Sequence, residues 1–338
     1  MGEGERQIVF SAPDDLDPEE DAIVLAKSLS QITPDTKILV DILPRLSHAQ
    51  MMQIRTEYKR FVRVKINDEG DTRGVNLAKH IKLRCTDEFG KICYVTALGC
   101  WESDAYWANT PFQPTSCRNE LLIEALIARS NYEIENIIAA FRNKQYSNSL
   151  AKCLDHELEN GSQILRRAVV LALEGKRQEA SDERPVGDDV DICRGALHDG
   201  TVKSTTLLDM LMTRSESHIR KLLKEYETRF NEHFAKAAVK KWPDMLGEIL
   251  AHIFNAAINR PARDAILIHH SLEEFSHEPT AKEPRYELLI SRLVRLHWES
   301  PRYMHYVKNE YQHKFGHSIM EAIKNMTKDD FCSFCLAL

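Results

Sequence analysis

The sequence repeats one pattern four times along its length. Each copy has an apolar cluster, a polar corner, an aromatic residue and a second apolar stretch. The apolar clusters lie at 39–43, 121–126, 207–211 and 288–293, and the aromatic residues are Tyr58, Phe141, Tyr226 and Tyr311. Successive aromatic residues are 83, 85 and 85 positions apart (58 to 141, 141 to 226, 226 to 311). A period this long predicts a tandem array of supersecondary units.

The spacing of apolar residues inside each copy predicts helices. In the second copy Ile134, Ile137, Ile138 and Phe141 stand at i, i+3, i+4 and i+7, which is the stripe of an amphipathic helix. Serine residues stand between consecutive predicted helices, where a side-chain oxygen can cap the next one: Ser47, Ser130 and Ser215. We therefore predict an all-α protein of about five helices per repeat, with the four aromatic residues in equivalent buried positions.

Composition shifts predict where the repeats begin and end. We expect an N-terminal tail (1–17) and repeats at 18–103, 104–177, 192–260 and 261–338. A stretch rich in charge, glycine and proline predicts a linker at 178–191, between the second and third repeats. The first repeat carries an extra polar stretch, 62–74, which predicts a solvated loop. Its acidic and amide residues lack the order of an EF-hand: Asn67, Asp68, Glu69 and Asp71.

Composition also limits the classes of protein to consider. Apolar residues make up 43% of the chain and charged residues 28%, as in an ordinary globular protein with a sizeable core. No apolar run is long enough to span a membrane, and the acidic N-terminus is unlike a signal peptide. Eight cysteines are scattered through apolar helical contexts and suit reduced thiols. These features predict a cytoplasmic protein, located peripherally on membranes if it binds them.

The order and spacing of these features resemble the annexin family. The features are four helical repeats, an apolar helix ending in Ala-Arg-Ser or Thr-Arg-Ser (128–130 and 213–215), and an aromatic residue eleven positions after that serine. The resemblance covers residues 18–338, and the fourth copy is similar to the last repeat of fungal annexins. It implies that the repeats stack into a curved disc. It also implies calcium sites on the convex face, which bridge the protein to anionic phospholipid.

The resemblance implies a particular calcium chemistry. In the family, a G-x-G-T loop between the first two helices of a repeat directs backbone carbonyls at Ca²⁺. A carboxylate about forty residues later completes the shell, and glycine permits the tight turn. Calcium would also reconcile this chain's net charge of −6 with a negatively charged membrane.

The chain departs from that pattern in every repeat. The loops at 31–35 and 114–117 contain no glycine, and the loop at 281–285 has neither glycine of the pattern. The third repeat keeps Gly200 and Thr201, for which Asp244 or Glu248 is the expected carboxylate. The fourth keeps a late acidic residue, Asp330, without its loop. We therefore expect weak calcium binding, concentrated in the third repeat, with a dissociation constant of about 10⁻⁴–10⁻³ M.

A small basic patch lies beside the late loop of the third repeat. Lys236, Lys240, Lys241 and Trp242 could meet an anionic membrane directly, although lysines on a solvated helix and a packed Trp are also commonplace. Two hypotheses follow. One is an annexin-like peripheral membrane protein with weakened calcium sites, and the other is a calcium-independent helical scaffold for cytoskeletal or other proteins. With no Gly-rich phosphate loop and no nucleophile–base pair, we predict neither an enzyme nor a nucleic-acid-binding protein.

Overall fold

The computed structural model describes residues 17–65, 72–109, 119–179, 184–277 and 286–338. These residues contain nineteen α-helices and one short hairpin, joined by turns and loops. The first repeat contains α1 (Pro18–Ser30), α2 (Thr36–Ile42), α3 (His48–Phe61), α4 (Leu77–Arg84) and α5 (Glu88–Leu98). The second contains α6 (Cys100–Asn109), α7 (Asn119–Leu126), α8 (Asn131–Ala140), α9 (Leu150–Glu157) and α10 (Gln163–Leu173).

The second half of the chain follows the same plan. The third repeat contains α11 (Gly187–Arg194), α12 (Ser204–Thr213), α13 (Glu216–Phe230), α14 (Phe234–Lys241) and the first half of α15 (Met245–His277). The fourth contains the second half of α15, then α16 (Glu287–His297), α17 (Pro301–Phe315), α18 (Ile319–Met326) and α19 (Asp329–Ala337). Helix α15 is kinked at Asn259, where the backbone is non-helical just before Pro261. The prediction of an all-α fold with about five helices per repeat is confirmed.

The repeated aromatic residues are core residues at the ends of α3, α8, α13 and α17. Phe141 is 4% exposed, and the three tyrosines are fully buried. Each buried tyrosine hydroxyl has a polar partner, as a buried phenol requires. Tyr58 and Tyr311 pair with His80 and His269, and Tyr226 donates to Glu232. The prediction that all four are buried is confirmed.

The predicted helix caps are also present. Ser47, Ser130 and Ser215 each precede a helix, and each side-chain oxygen accepts a hydrogen bond from a backbone N–H of its first turn. In α3 and α8 the third helical residue bonds back to the serine, which completes a capping box. Local sequence therefore sets where the third helix of these repeats begins.

The polar insertion of the first repeat contains a two-stranded antiparallel hairpin. Strand β1 (Arg63–Lys65) pairs with β2 (Thr72–Gly74), and the Arg63 side chain bonds to Thr72 across the pair. The prediction of a plain loop is therefore wrong for these six residues, because β-branched Val64 and Thr72 favour extended backbone. The acidic and amide residues at 67–71, which lack the order of an EF-hand, lie outside the described residues.

The chain divides into two compact units. The central unit comprises residues 104–263, and the terminal unit joins the residues up to 103 with residues 264–338. In the central unit α10 packs on α12, and in the terminal unit α5 packs on α16 and α19. The units thus combine the second repeat with the third and the first with the fourth. The last five residues of the predicted linker (187–191) are the start of α11.

Candidate functional site

The first loop of the third repeat follows an unusual helix end. Helix α11 runs into a π-helical turn, Gly195–Asp199, and Gly200 then adopts a left-handed conformation (φ 64°). That conformation favours glycine, which explains why this remnant of the family loop is retained. Thr201 follows on the exposed side of the turn.

A lysine side chain binds the backbone carbonyls that open this loop. The Nζ atom of Lys241, the last residue of α14, donates hydrogen bonds to the carbonyl oxygens of Ala196 (2.9 Å) and Leu197 (2.5 Å). The same Nζ atom lies 5.2 Å from the centre of the Trp242 ring, within cation–π range. The loop carbonyls therefore already contact a positive charge that belongs to the protein.

A second interaction anchors the loop through its histidine. His198 Nε2 lies 2.6 Å from a carboxylate oxygen of Glu232, which also accepts from the Tyr226 hydroxyl (3.1 Å). The hydrogen bond with His198 lowers the pKa of Glu232, with further lowering from Tyr226 and from Arg194. Glu232 is therefore held as a carboxylate that ties the loop to the end of α13.

The predicted acidic partners have other surroundings. Asp244 caps α15, since its side chain accepts from the backbone N–H of Leu246 (3.1 Å). Partial burial, followed by the nearby carboxylates of Glu120 and Asp244, raises the pKa of Glu248. Within the described ranges, no group of three or more His, Cys, Asp or Glu residues is arranged to hold a metal ion. The assignment of Gly200, Thr201, Asp244 and Glu248 to one calcium site remains a prediction.

The first loop of the first repeat is braced by an arginine. The guanidinium of Arg84, the last residue of α4, donates to the carbonyl oxygens of Leu29 (3.0 Å), Gln31 and Ile32 (2.9 Å). Arg84 and Lys241 occupy the same position in their repeats, seven residues after the first residue of the fourth helix (77 to 84 and 234 to 241). A calcium ion could use the carbonyl oxygens that Arg84 or Lys241 contacts as ligands only by displacing that side chain.

The most exposed apolar side chains of the described residues lie on either side of Arg84. Ile32, in the loop, is fully exposed, and Leu83, in the last turn of α4, is 74% exposed. The bonds from Arg84 connect the end of α4, which carries Leu83, to the loop that carries Ile32. Lys79 and Lys82 are exposed on the same helix. Sequence reasoning missed Arg84, Ile32 and Leu83. An alignment of the fourth helix of the first repeat with that of the third repeat would have paired Arg84 with Lys241.

The predicted basic patch of the third repeat is split by the structure. All three lysines are exposed, but only Lys241 is hydrogen-bonded to the loop, and the half-buried Trp242 ring lies beside its ammonium group. Asp330 lies half-buried in the first turn of α19. The loops of the second and fourth repeats, 114–117 and 281–285, lie outside the described residues. Among the helices that the structure describes, none is both long and apolar enough to cross a membrane.

Comparison with known proteins gives a consistent result. No protein-family model matches the chain. It is 23% identical to mouse annexin A6 over 335 residues, which is 97% of this chain, and it spans about half (46%) of that protein's length. It is 24% identical to annexin A1 of Cavia cutleri over 331 residues, covering 95% of this chain and 87% of the relative. The solved structure of annexin III superposes with a TM-score of 0.81 at 20% identity, covering 99% of this chain and 97% of that one. The chain is therefore similar in sequence to annexins along nearly its whole length, and it has the fold of the annexin structures.

Proposed function

We propose that this protein attaches peripherally to anionic phospholipid surfaces, with a reduced role for calcium. The observation that carries the proposal is the end of the first repeat, where Ile32 is fully exposed, Leu83 is 74% exposed, and Arg84, the residue after Leu83, bonds to the carbonyl oxygen of Ile32. Contiguous exposed apolar surface marks interaction sites, whereas singly scattered apolar side chains are ordinary. Annexins as a group bind membranes through calcium, and the two described loops explain why this chain would differ.

The chemistry of this end suits a negatively charged lipid surface. Ile32 and Leu83 can enter the boundary between head groups and acyl chains, where apolar burial is worth roughly 1.5–3 kcal/mol for a fully buried side chain. Lys79 and Lys82 lie on the same helix, and a lysine near an anionic surface contributes about 1 kcal/mol. Lys236 and Lys240 offer the same charge at the third repeat. The net charge of −6 opposes these terms, so the attachment should be moderate and sensitive to salt.

Removing the exposed apolar pair should release the protein from vesicles. We expect the double variant Ile32→Ser/Leu83→Ser to bind phosphatidylserine-containing vesicles at least about tenfold more weakly than the wild type in EGTA, because it loses most of the apolar burial. Co-sedimentation with vesicles, with and without millimolar calcium, measures this.

A matched control separates this effect from a general loss of surface apolarity. Val170 and Met320 are 47% and 41% exposed on α10 and α18, so Val170→Ser/Met320→Ser should bind like the wild type. Equal binding by both double variants would contradict the assignment of the contact to the first repeat. Absence of wild-type binding under every condition would favour the scaffold alternative. Tight binding that required calcium would restore the ordinary family mechanism.

A further inference from the structure

We propose that Arg84 and Lys241 are built-in cations. At the first loop of its repeat, each supplies the positive charge that the loop carbonyls would otherwise receive from a bound calcium ion. This inference rests on the proposed function, because it gives the physical reason why calcium would have a reduced role in attachment.

The geometry at Lys241 is that of an ion held by oxygen ligands. Its ammonium group reaches two successive carbonyl oxygens, Ala196 and Leu197, at 2.9 and 2.5 Å. Bonds from a charged donor are shorter and roughly twice as strong as those between neutral groups. The residue lies forty positions after Thr201, where the resemblance to the annexins leads one to expect a carboxylate ligand. The Lys241 side chain therefore takes the place of the calcium ion, and it stands at the position where the carboxylate that binds calcium is expected.

The first repeat shows the same arrangement independently. Arg84 reaches three carbonyl oxygens of its loop, at Leu29, Gln31 and Ile32. A guanidinium has five N–H donors in a fixed planar fork, which lets one side chain serve several acceptors. Arg84 belongs to the terminal unit and Lys241 to the central unit. An arginine and a lysine at the same position of two repeats therefore have the same role, which is to donate hydrogen bonds to neighbouring loop carbonyls without a metal.

The replacement also excludes the ion. Calcium takes six to eight oxygen ligands and would have to approach the carbonyl oxygens that the ammonium or guanidinium now contacts. Two positive charges at hydrogen-bond distance from the same oxygens repel each other. Calcium can bind only after the side chain has left its acceptors. Each loop should therefore keep its conformation for as long as the side chain occupies its acceptors.

The proposal predicts that exchanging the cation for a carboxylate opens a calcium site. In Lys241→Glu the Ala196 and Leu197 carbonyls lose their donor, and a carboxylate lies within reach of them. In calorimetric titration of the full chain with calcium alone, without lipid, the first and third loops of the wild type should contribute no site, in contrast to the weak third-repeat site that the sequence predicts. The variant should gain one site with a dissociation constant of about 10⁻⁴–10⁻³ M, the range of sites with few ligands.

The chain offers a matched control in each of the two repeats, the first and the third. Lys240→Glu changes the charge by the same amount one residue away, on an exposed side chain that does not contact the loop, and should gain no site. Arg84→Glu should gain one site in the first repeat, with Lys82→Glu as its control. Circular dichroism establishes that each variant is folded, and the two repeats give two independent tests should one variant fail to fold.

Specific outcomes would overturn the proposal. Folded Lys241→Glu and Arg84→Glu proteins that bind no calcium would do so, as would an equal gain in Lys240→Glu. Calcium binding by the wild type that is abolished by mutating either loop would also refute it. Vesicle binding in EGTA is measured separately. Its absence would refute the proposed function while leaving the calcium titrations free to support or reject the built-in cations.

Discussion

Replacing Arg129 by Met is expected to destabilise the central unit by about 3–5 kcal/mol. The Arg129 guanidinium bonds to Asp104 (2.8 Å) and to Glu133 (2.9 Å), and all three side chains are at most 5% exposed. Removing the cation leaves two carboxylates buried beside each other without their common partner. Breaking a buried ionic group by deleting one member is costly for this reason, even where the intact group contributes little net stability. Urea denaturation followed by circular dichroism measures the loss.

An exposed arginine of the same unit provides the control. Arg166 forms an ion pair with Asp155 (2.5 Å), but these side chains are 34% and 65% exposed. Water solvates both charges when the partner is removed, so Arg166→Met should change stability by only about 0–1 kcal/mol. Similar losses of unfolding free energy in Arg129→Met and Arg166→Met would show that the buried ionic group around Arg129 is no more sensitive than an exposed ion pair. A stability gain in Arg129→Met would show that apolar packing replaces the charges without cost.

Local sequence predicts much of this fold because the repeat and the helix caps are local signals. The serine before each third helix bonds to the first turn of that same helix, so short-range spacing was enough to place Ser47, Ser130 and Ser215. The buried aromatic residues followed from helical periodicity in the same way. The hairpin in the insertion was missed because polar composition was given more weight than the alternation of β-branched residues around Val64.

The functional details could not be found in this way, since they depend on contacts between residues far apart in sequence. Lys241 bonds to carbonyls 44 and 45 positions earlier, and Arg84 to carbonyls 52 to 55 positions earlier. Sequence reasoning looked for an acidic residue near the expected distance and offered Asp244 or Glu248, and in the structure the Asp244 side chain accepts a hydrogen bond from the backbone of Leu246. It also assigned Lys241 to a membrane patch because a lysine at a helix end gives no sign of its acceptors. Backbone carbonyls leave no trace in a residue pattern, so only the folded chain shows which cation they contact.

Lowering the pH is expected to destabilise the protein through His297. Burial lowers the pKa of this histidine, in α16, to about 4, and a hydrogen bond with the backbone of Leu46 only partly opposes the shift. In the described part of the chain its Nε2 atom is buried without a hydrogen-bond partner, so an added proton would have no acceptor. The folded state therefore keeps the ring neutral at pH values where the unfolded state binds a proton.

The sign of the effect follows from that difference. The stabilising contribution is complete above pH 6.5, the ordinary value, and is lost as the pH falls from 6.5 towards about 4. The loss approaches about 1.4 kcal/mol per pH unit, or roughly 2 kcal/mol between pH 6.5 and pH 5. Burial also lowers the pKa of His48, His80 and His218, so these residues add to the trend in the same direction.

His297→Gln should flatten the pH dependence of stability, because glutamine stays neutral throughout this range. Urea midpoints at a series of pH values from 7 to 5 would show a smaller slope than in the wild type, and the residual slope would come from the other titrating groups, these three histidines among them. His313 is exposed on α17, so His313→Gln should leave the wild-type slope unchanged. A slope that survived in His297→Gln, or that disappeared in His313→Gln, would mean that the acid sensitivity arises elsewhere. A flattened slope would identify the packing around α16 as the source of that sensitivity, independently of the loops that Arg84 and Lys241 brace.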